Sequence, residues 1–107
     1  MKLSMVEHDV LTRLADSLRR EVRASAITLF GSAARHALEE GSDIDLLVVL
    51  PEVTWEIEKK VSDLCFDAEL ACGRVVSAIC FSDAELADSP LRSSPLVLAA
   101  RREGKPL

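Results

Sequence analysis

Asp43 and Asp45 open an aliphatic run, in the stretch DIDLLVVL from Asp43 to Leu50. In an extended chain residues i and i+2 point to the same side, so both carboxylates face one spot with their backbones roughly 7 Å apart. Two like charges held together are unfavourable unless something cationic lies between them. A hard divalent ion suits that role, because Mg²⁺ takes oxygen ligands, commonly one or two carboxylates with substrate phosphates. A pair of such ions can activate an attacking oxygen and stabilise a leaving one in phosphoryl chemistry.

Upstream, Gly31 and Ser32 lie between the short run AITLF and the stretch AARHALEE. A strand passing into a helix leaves free backbone N–H groups and a helix dipole that favour an anion. Gly31 allows close backbone approach and Ser32 adds a hydroxyl donor. Arg35, one turn into the helix, can add a bidentate phosphate contact. Ser42 belongs to a second Gly-Ser pair directly before Asp43. Taken singly, each feature also occurs as an ordinary turn, cap or surface charge. Gathered within twenty residues, in a strand–helix–strand context, they point to a nucleoside triphosphate held with its metal.

These residues need a scaffold. Ser4 and Glu7 form an S-x-x-E capping box, and Val6, Val10, Leu14, Leu18 and Val22 follow at four-residue spacing, predicting a helix from about Met5 to Ala24. AITLF predicts a strand and AARHALEE a brief helix closed near Gly41. DIDLLVVL predicts a second strand, stopped by Pro51, and its apolar character on both faces beyond Asp45 marks it as central. Thr54 caps a third helix with Ile57, Val61, Leu64, Ala68 and Ala71 as its apolar stripe and Gly73 as its stop. VVSAICF is a third strand, and SDAE (Ser82 to Glu85) is a second capping box. Ser94 and Pro95 open a last helix ending near Gly104. The expected fold is α/β in the order αβαβαβαα, as one domain over residues 1–107.

Composition narrows the classes. Thirteen basic against eighteen acidic side chains give a net charge of −5, and there are three Phe, one Trp and no Tyr. Such a chain lacks the basic face and stacking platforms of an autonomous nucleic-acid binder. The N-terminus has no apolar signal-peptide region, and no run approaches the ~18 residues of a membrane span. The three cysteines form no CxxC pair, and Cys65 and Cys72, seven apart, read as core packing. A reduced, cytoplasmic protein is expected.

The segments GSAAR and GSDIDLLVV resemble the minimal nucleotidyltransferase family of the DNA polymerase β superfamily, whose signature is G-S, a short helix, and D-x-D opening a hydrophobic strand. The resemblance extends over most of the chain. It implies a small mixed sheet of three to four strands packed by helices, and nucleotidyl transfer from ATP or another nucleoside triphosphate with Mg²⁺. By the same resemblance Gly31 and Ser32, with Arg35 and Ser42, bind nucleotide, while Asp43 and Asp45 hold metal and are catalytic. Stand-alone members often pair with a HEPN-domain toxin as its antitoxin, and some transfer AMP to a tyrosine of that partner. Two departures stand out. His36 occupies a position where many members have Gly. On the strand after the third helix, where active members usually carry a third Asp, Ser77 looks like the occupant, with no acid between Val75 and Ile79. Asp83 falls at the far end of that strand and is expected to serve the next helix. Asp67 and Glu69 are expected to be solvated.

Three functions follow. The first is Mg²⁺-dependent transfer of a nucleoside monophosphate, AMP foremost, onto a hydroxyl of a partner protein. The second is a degenerate transferase fold that neutralises its partner by contact alone, an acidic surface attracting a basic one. Transfer to a small molecule such as an aminoglycoside ranks third, since an extra substrate domain normally accompanies it. A homo-oligomer is compatible with all three.

Overall fold

The computed structural model describes residues 3–31, 43–88 and 90–107. In chain order the elements are α1 (Met5–Val22), β1 (Ala26–Phe30), β2 (Ile44–Leu50), α2 (Trp55–Cys72), β3 (Val76–Ser82), α3 (Asp83–Asp88), a 3₁₀ turn (Pro90–Ser93), α4 (Pro95–Glu103) and β4 (Lys105–Pro106). The helix expected over AARHALEE lies outside the described residues. Among those residues no helix is long and apolar enough to cross a membrane.

The helix boundaries follow from the caps read in the sequence. Ser4 Oγ accepts the Glu7 N–H while the Glu7 carboxylate accepts the Ser4 N–H, so two orphan donors of α1 are satisfied reciprocally. Thr54 caps α2 through the Ile57 N–H, and Gly73 ends it at φ +76°, a left-handed position that suits glycine. Ser94 caps α4, with Pro95 at its first turn. Helix α1 stops two residues short of expectation, where Arg23 turns left-handed at φ +60°.

The four strands run in the order β3-β2-β1-β4. Strands β1 and β2 are antiparallel, β2 and β3 parallel across the α2 crossover, and β4 adds antiparallel to β1. The sheet is therefore mixed, and β2 is central, as its two-faced apolarity predicts. Strand β4 is an addition to the expected order, because two residues, one of them proline, carry no readable periodicity.

Packing divides the sheet into two unequal faces. Ile44, Leu46, Val48 and Leu50 alternate toward α1 and α2, joining Leu11, Leu14, Leu18 and Val61 in the main core. On the opposite face Leu47 and Phe81 pack beneath Val97 and Ala100 of α4. The α1 stripe departs from its expected start. Val6 is 61% exposed, and Glu7, Leu11 and Ala15 join the expected Leu14, Leu18 and Val22 as the buried positions. A four-residue repeat drifts about 40° per step around a helix of 3.6 residues per turn, so a stripe anchored at Val22 has left the core by Val6. In α2 the last stripe position, Ala71, is exposed, while Cys65 is buried and Cys72 packs against the core, both as free thiols.

Glu7 is buried because it holds a second partner. Arg74, just before β3, donates from Nε to Glu7 Oε2. Burial alone would raise the Glu7 pKa. The Ser4 backbone bond, the Arg74 side chain and the Ser4 hydroxyl outweigh it, and Glu7 stays below the ordinary carboxylate range. A lowered folded-state pKa contributes stability above the unfolded pKa and loses it as pH falls through the folded value. Removing one partner of a buried pair typically costs about 3–5 kcal/mol. Arg74→Met is accordingly expected to lower chemical-denaturation stability by about 3 kcal/mol at neutral pH, with a clearly smaller loss near pH 3.

Candidate active site

Odd-numbered residues of β2 face away from the main core, and α4 covers only part of that outer face. The register places Phe30 opposite Asp45, and Asp45 opposite Ser77, so these three form one lateral row across β1, β2 and β3. The next row, Thr28–Leu47–Ile79, leads under α4. Asp45 thus stands where the apolar cover ends, half-buried, with the exposed Asp43 preceding the strand.

Burial raises the Asp45 pKa, and the neighbouring Asp43 charge raises it further. The two carboxylates are therefore close enough to repel, as the i, i+2 spacing predicts. Gly31 completes the patch. Its φ is +71°, and a Cβ built on it would lie 2.8 Å from Asp45 Oδ2. The strand-end turn thus approaches the Asp45 carboxylate so closely that a side chain there would have to displace it. The left-handed backbone favours glycine there, and a Cβ would in addition push the Asp45 carboxylate aside.

Of the residues read as a site from the sequence, Gly31, Asp43 and Asp45 are brought together. Ser32, Arg35 and Ser42, with His36, lie outside the described residues. Ser77 occupies the expected register position beside Asp45 and is exposed. Among the described residues no group of three His, Cys, Asp or Glu side chains could hold a metal ion. Asp83 begins α3 and accepts a hydrogen bond from Ser25 Oγ, away from the pair, and Asp67 is exposed on α2. Glu69 departs from expectation, since its carboxylate accepts the Val76 N–H at 3.0 Å. Val75 (51% exposed) and Ile79 (37% exposed) flank Ser77 on the same open face.

The sequence profile of the nucleotidyltransferase domain family matches residues 11–97, from within α1 to the start of α4. The chain belongs to that family. Solved structures repeat its fold. A toxin–antitoxin crystal structure with AMP-PNP contains a chain 24% identical, with a TM-score of 0.63, covering 92% of this chain and 69% of its own. A mutant of the MntA–HpeT toxin–antitoxin is also 24% identical, with a TM-score of 0.62 over 91% of this chain and 70% of that one. A structure described as a minimal nucleotidyltransferase is 27% identical, with a TM-score of 0.62, covering 96% of this chain and 97% of its own. No curated protein matches the sequence significantly. The four-stranded mixed sheet packed by helices is thus the nucleotidyltransferase fold in minimal form.

Two measurements test this geometry. A raised folded-state pKa means that ionised Asp45 opposes folding at neutral pH and that the penalty fades as pH falls through that pKa. Without divalent ions, Asp45→Asn should therefore melt at a higher temperature than the parent near pH 7, and the two should converge near pH 3. Gly31→Ala should lose at least about 1 kcal/mol from its left-handed backbone alone. Part of its total loss should be relieved in an Asp45→Ala background, read as a positive coupling in a double-mutant cycle.

Proposed function

We propose that the chain binds a nucleoside triphosphate with Mg²⁺ as cofactor and transfers a nucleoside monophosphate to a hydroxyl of a partner protein. The specific form is AMP from ATP, with a HEPN-type toxin as acceptor and this chain as its antitoxin. One observation carries the reading: the Asp45 carboxylate, with Asp43 beside it, abuts the left-handed Gly31 turn at the uncovered end of β2. Membership of the nucleotidyltransferase family and the likeness to toxin–antitoxin chains, one crystallised with AMP-PNP, support it.

The donor set fits the cofactor, since two oxygen ligands that repel each other gain from a shared hard cation. Asp43 and Asp45 would hold Mg²⁺, which neutralises triphosphate charge. Gly31 and Ser32 would take phosphate oxygens on backbone N–H and hydroxyl donors, and Arg35 and Ser42 would add nucleotide contacts. In the transfer, the acceptor oxygen bonds to the α-phosphorus as the bond to the bridging oxygen breaks. Pyrophosphate leaves with the electron pair, and the hydroxyl proton passes to a base. Such chemistry depends mostly on positioning and charge stabilisation, so a small scaffold can suffice.

Ser77 favours a second reading. It stands in register with Asp45 where a third carboxylate would serve as base, and its alcohol cannot accept the proton. A missing general base typically forfeits ~10²–10⁴-fold in rate. Either the partner contributes the carboxylate or the chain acts as antitoxin by contact alone.

Incubation with ATP labelled at the α-phosphate, Mg²⁺ and the product of the adjacent gene separates the readings. Label on the partner supports transfer. Intact ATP beside a tight complex supports contact alone. The double variant Asp43→Asn with Asp45→Asn should abolish labelling while melting no lower than the parent without metal, and an unfolded double variant would show the carboxylates to be structural. Ser77→Asp should raise the labelling rate at least about tenfold, a modest part of the ~10²–10⁴-fold that a general base contributes.

A further inference from the structure

Strand β3 ends the sheet on one side, and its outer edge has an uneven hydrogen-bond pattern. The Ile44 N–H donates to Val75 C=O. In a parallel ladder this turns the odd-numbered residues of β3 toward β2 and the even-numbered ones outward. The outward N–H of Val76 is capped by Glu69 Oε1 at 3.0 Å, and that of Ser82 by Glu85 Oε1 at 3.1 Å. Between these caps the N–H and C=O groups of Ala78 and Cys80 have no partner among the described residues. The strand holds neither charge nor proline and keeps unbroken register with β2 over seven residues, so it carries none of the usual devices that blunt an edge.

The surroundings select what could pair there. Beside the edge runs a groove of ≈ 490 Å³ between α2 and β3, lined by Ser62, Asp63, Phe66, Glu69, Ser77 and Ala78 among others, with Phe66 56% exposed. Glu69 and Glu85 close the two ends of the window. Glu58 is near enough to Cys80 to push up a thiol already raised by burial. Lys59, next to Glu58, is engaged by Asp63 at 3.2 Å, and Arg74, just before β3, is engaged by Glu7. The frame is apolar in the middle and anionic around it. A second copy of β3 would bring the same carboxylates against these and contribute no basic residue of its own.

We propose that the Ala78–Cys80 window of β3 receives an extended, basic-flanked segment of a partner protein as an added strand. The backbone of Ala78 and Cys80 supplies up to four hydrogen bonds, Phe66 and Ile79 bracket alternate apolar side chains, and Lys or Arg on either side meets the carboxylate frame. This edge lies beyond the Asp43–Asp45 patch, so the inference does not rest on nucleotidyl transfer.

The probe is the peptide acetyl-Arg-Val-Thr-Val-Thr-Val-Arg-amide, titrated into the isotope-labelled full chain and followed by amide shifts and hydrogen exchange. The largest shifts are expected at Ala78 and Cys80, with exchange at those two amides slowed at least tenfold at saturation. Replacing both Arg of the peptide by Glu should weaken binding at least tenfold, as should Glu58→Lys with Asp63→Lys, both at exposed positions. Asp43→Asn with Asp45→Asn should leave it unchanged. Equal binding of the acidic peptide, or Ala78 and Cys80 amides unmoved by the basic one, overturns the proposal. So does a dimer in sedimentation that protects these two amides without peptide, which would assign the edge to a second copy.

Discussion

Strand β2 is enclosed by β1 and β3 at its edges and by helices on both faces, and this double burial governs the remainder of the molecule. Ile44, Leu46, Val48 and Leu50 can only point inward to α1 and α2, which forces Asp45 and Leu47 outward. Leu47 is covered by α4, whereas Asp45, one row further on, is not. The carboxylate therefore stands at the boundary between packed apolar surface and water. That position accounts for its raised pKa and leaves the carboxylate partly open to solvent. A rigid, hydrogen-bonded strand also fixes the carboxylate more firmly than a loop could.

Much of this is legible from residue order. The pair of aspartates leading an aliphatic run implies a central strand with two charges at its mouth, and the capping boxes at Ser4 and Ser82 set helix starts correctly. Ser77 falls beside Asp45 as its place in VVSAICF suggests. Other features depend on tertiary neighbours that no local pattern encodes. Glu7 looks like a cap and is also the buried partner of Arg74, sixty-seven residues away. Glu69 looks solvated and instead satisfies the first outward N–H of β3. Gly31 is expected to let a ligand approach, and the atom nearest to it proves to be an oxygen of Asp45.

The acidic balance of the chain acquires local meaning as well. Asp43 and Asp45 concentrate negative charge on the outer face, while Glu58, Glu69 and Glu85 border the edge of β3. Glu7 and Arg74 neutralise each other in the interior and add little to the external field. The surface therefore presents two separate anionic regions, one at the mouth of β2 and one along the edge of β3.

The Phe30–Asp45–Ser77 row has a consequence for how variation in this chain is filtered. Because side chains alternate, slipping β2 by one residue would drive Asp45 into the interior and turn Leu46 out to solvent. Proper alignment of the acidic group and proper folding are thus inseparable. Lesions that shift this strand should surface as vanished polypeptide in a cell extract, and intact but sluggish molecules should arise chiefly from changes at the acids themselves.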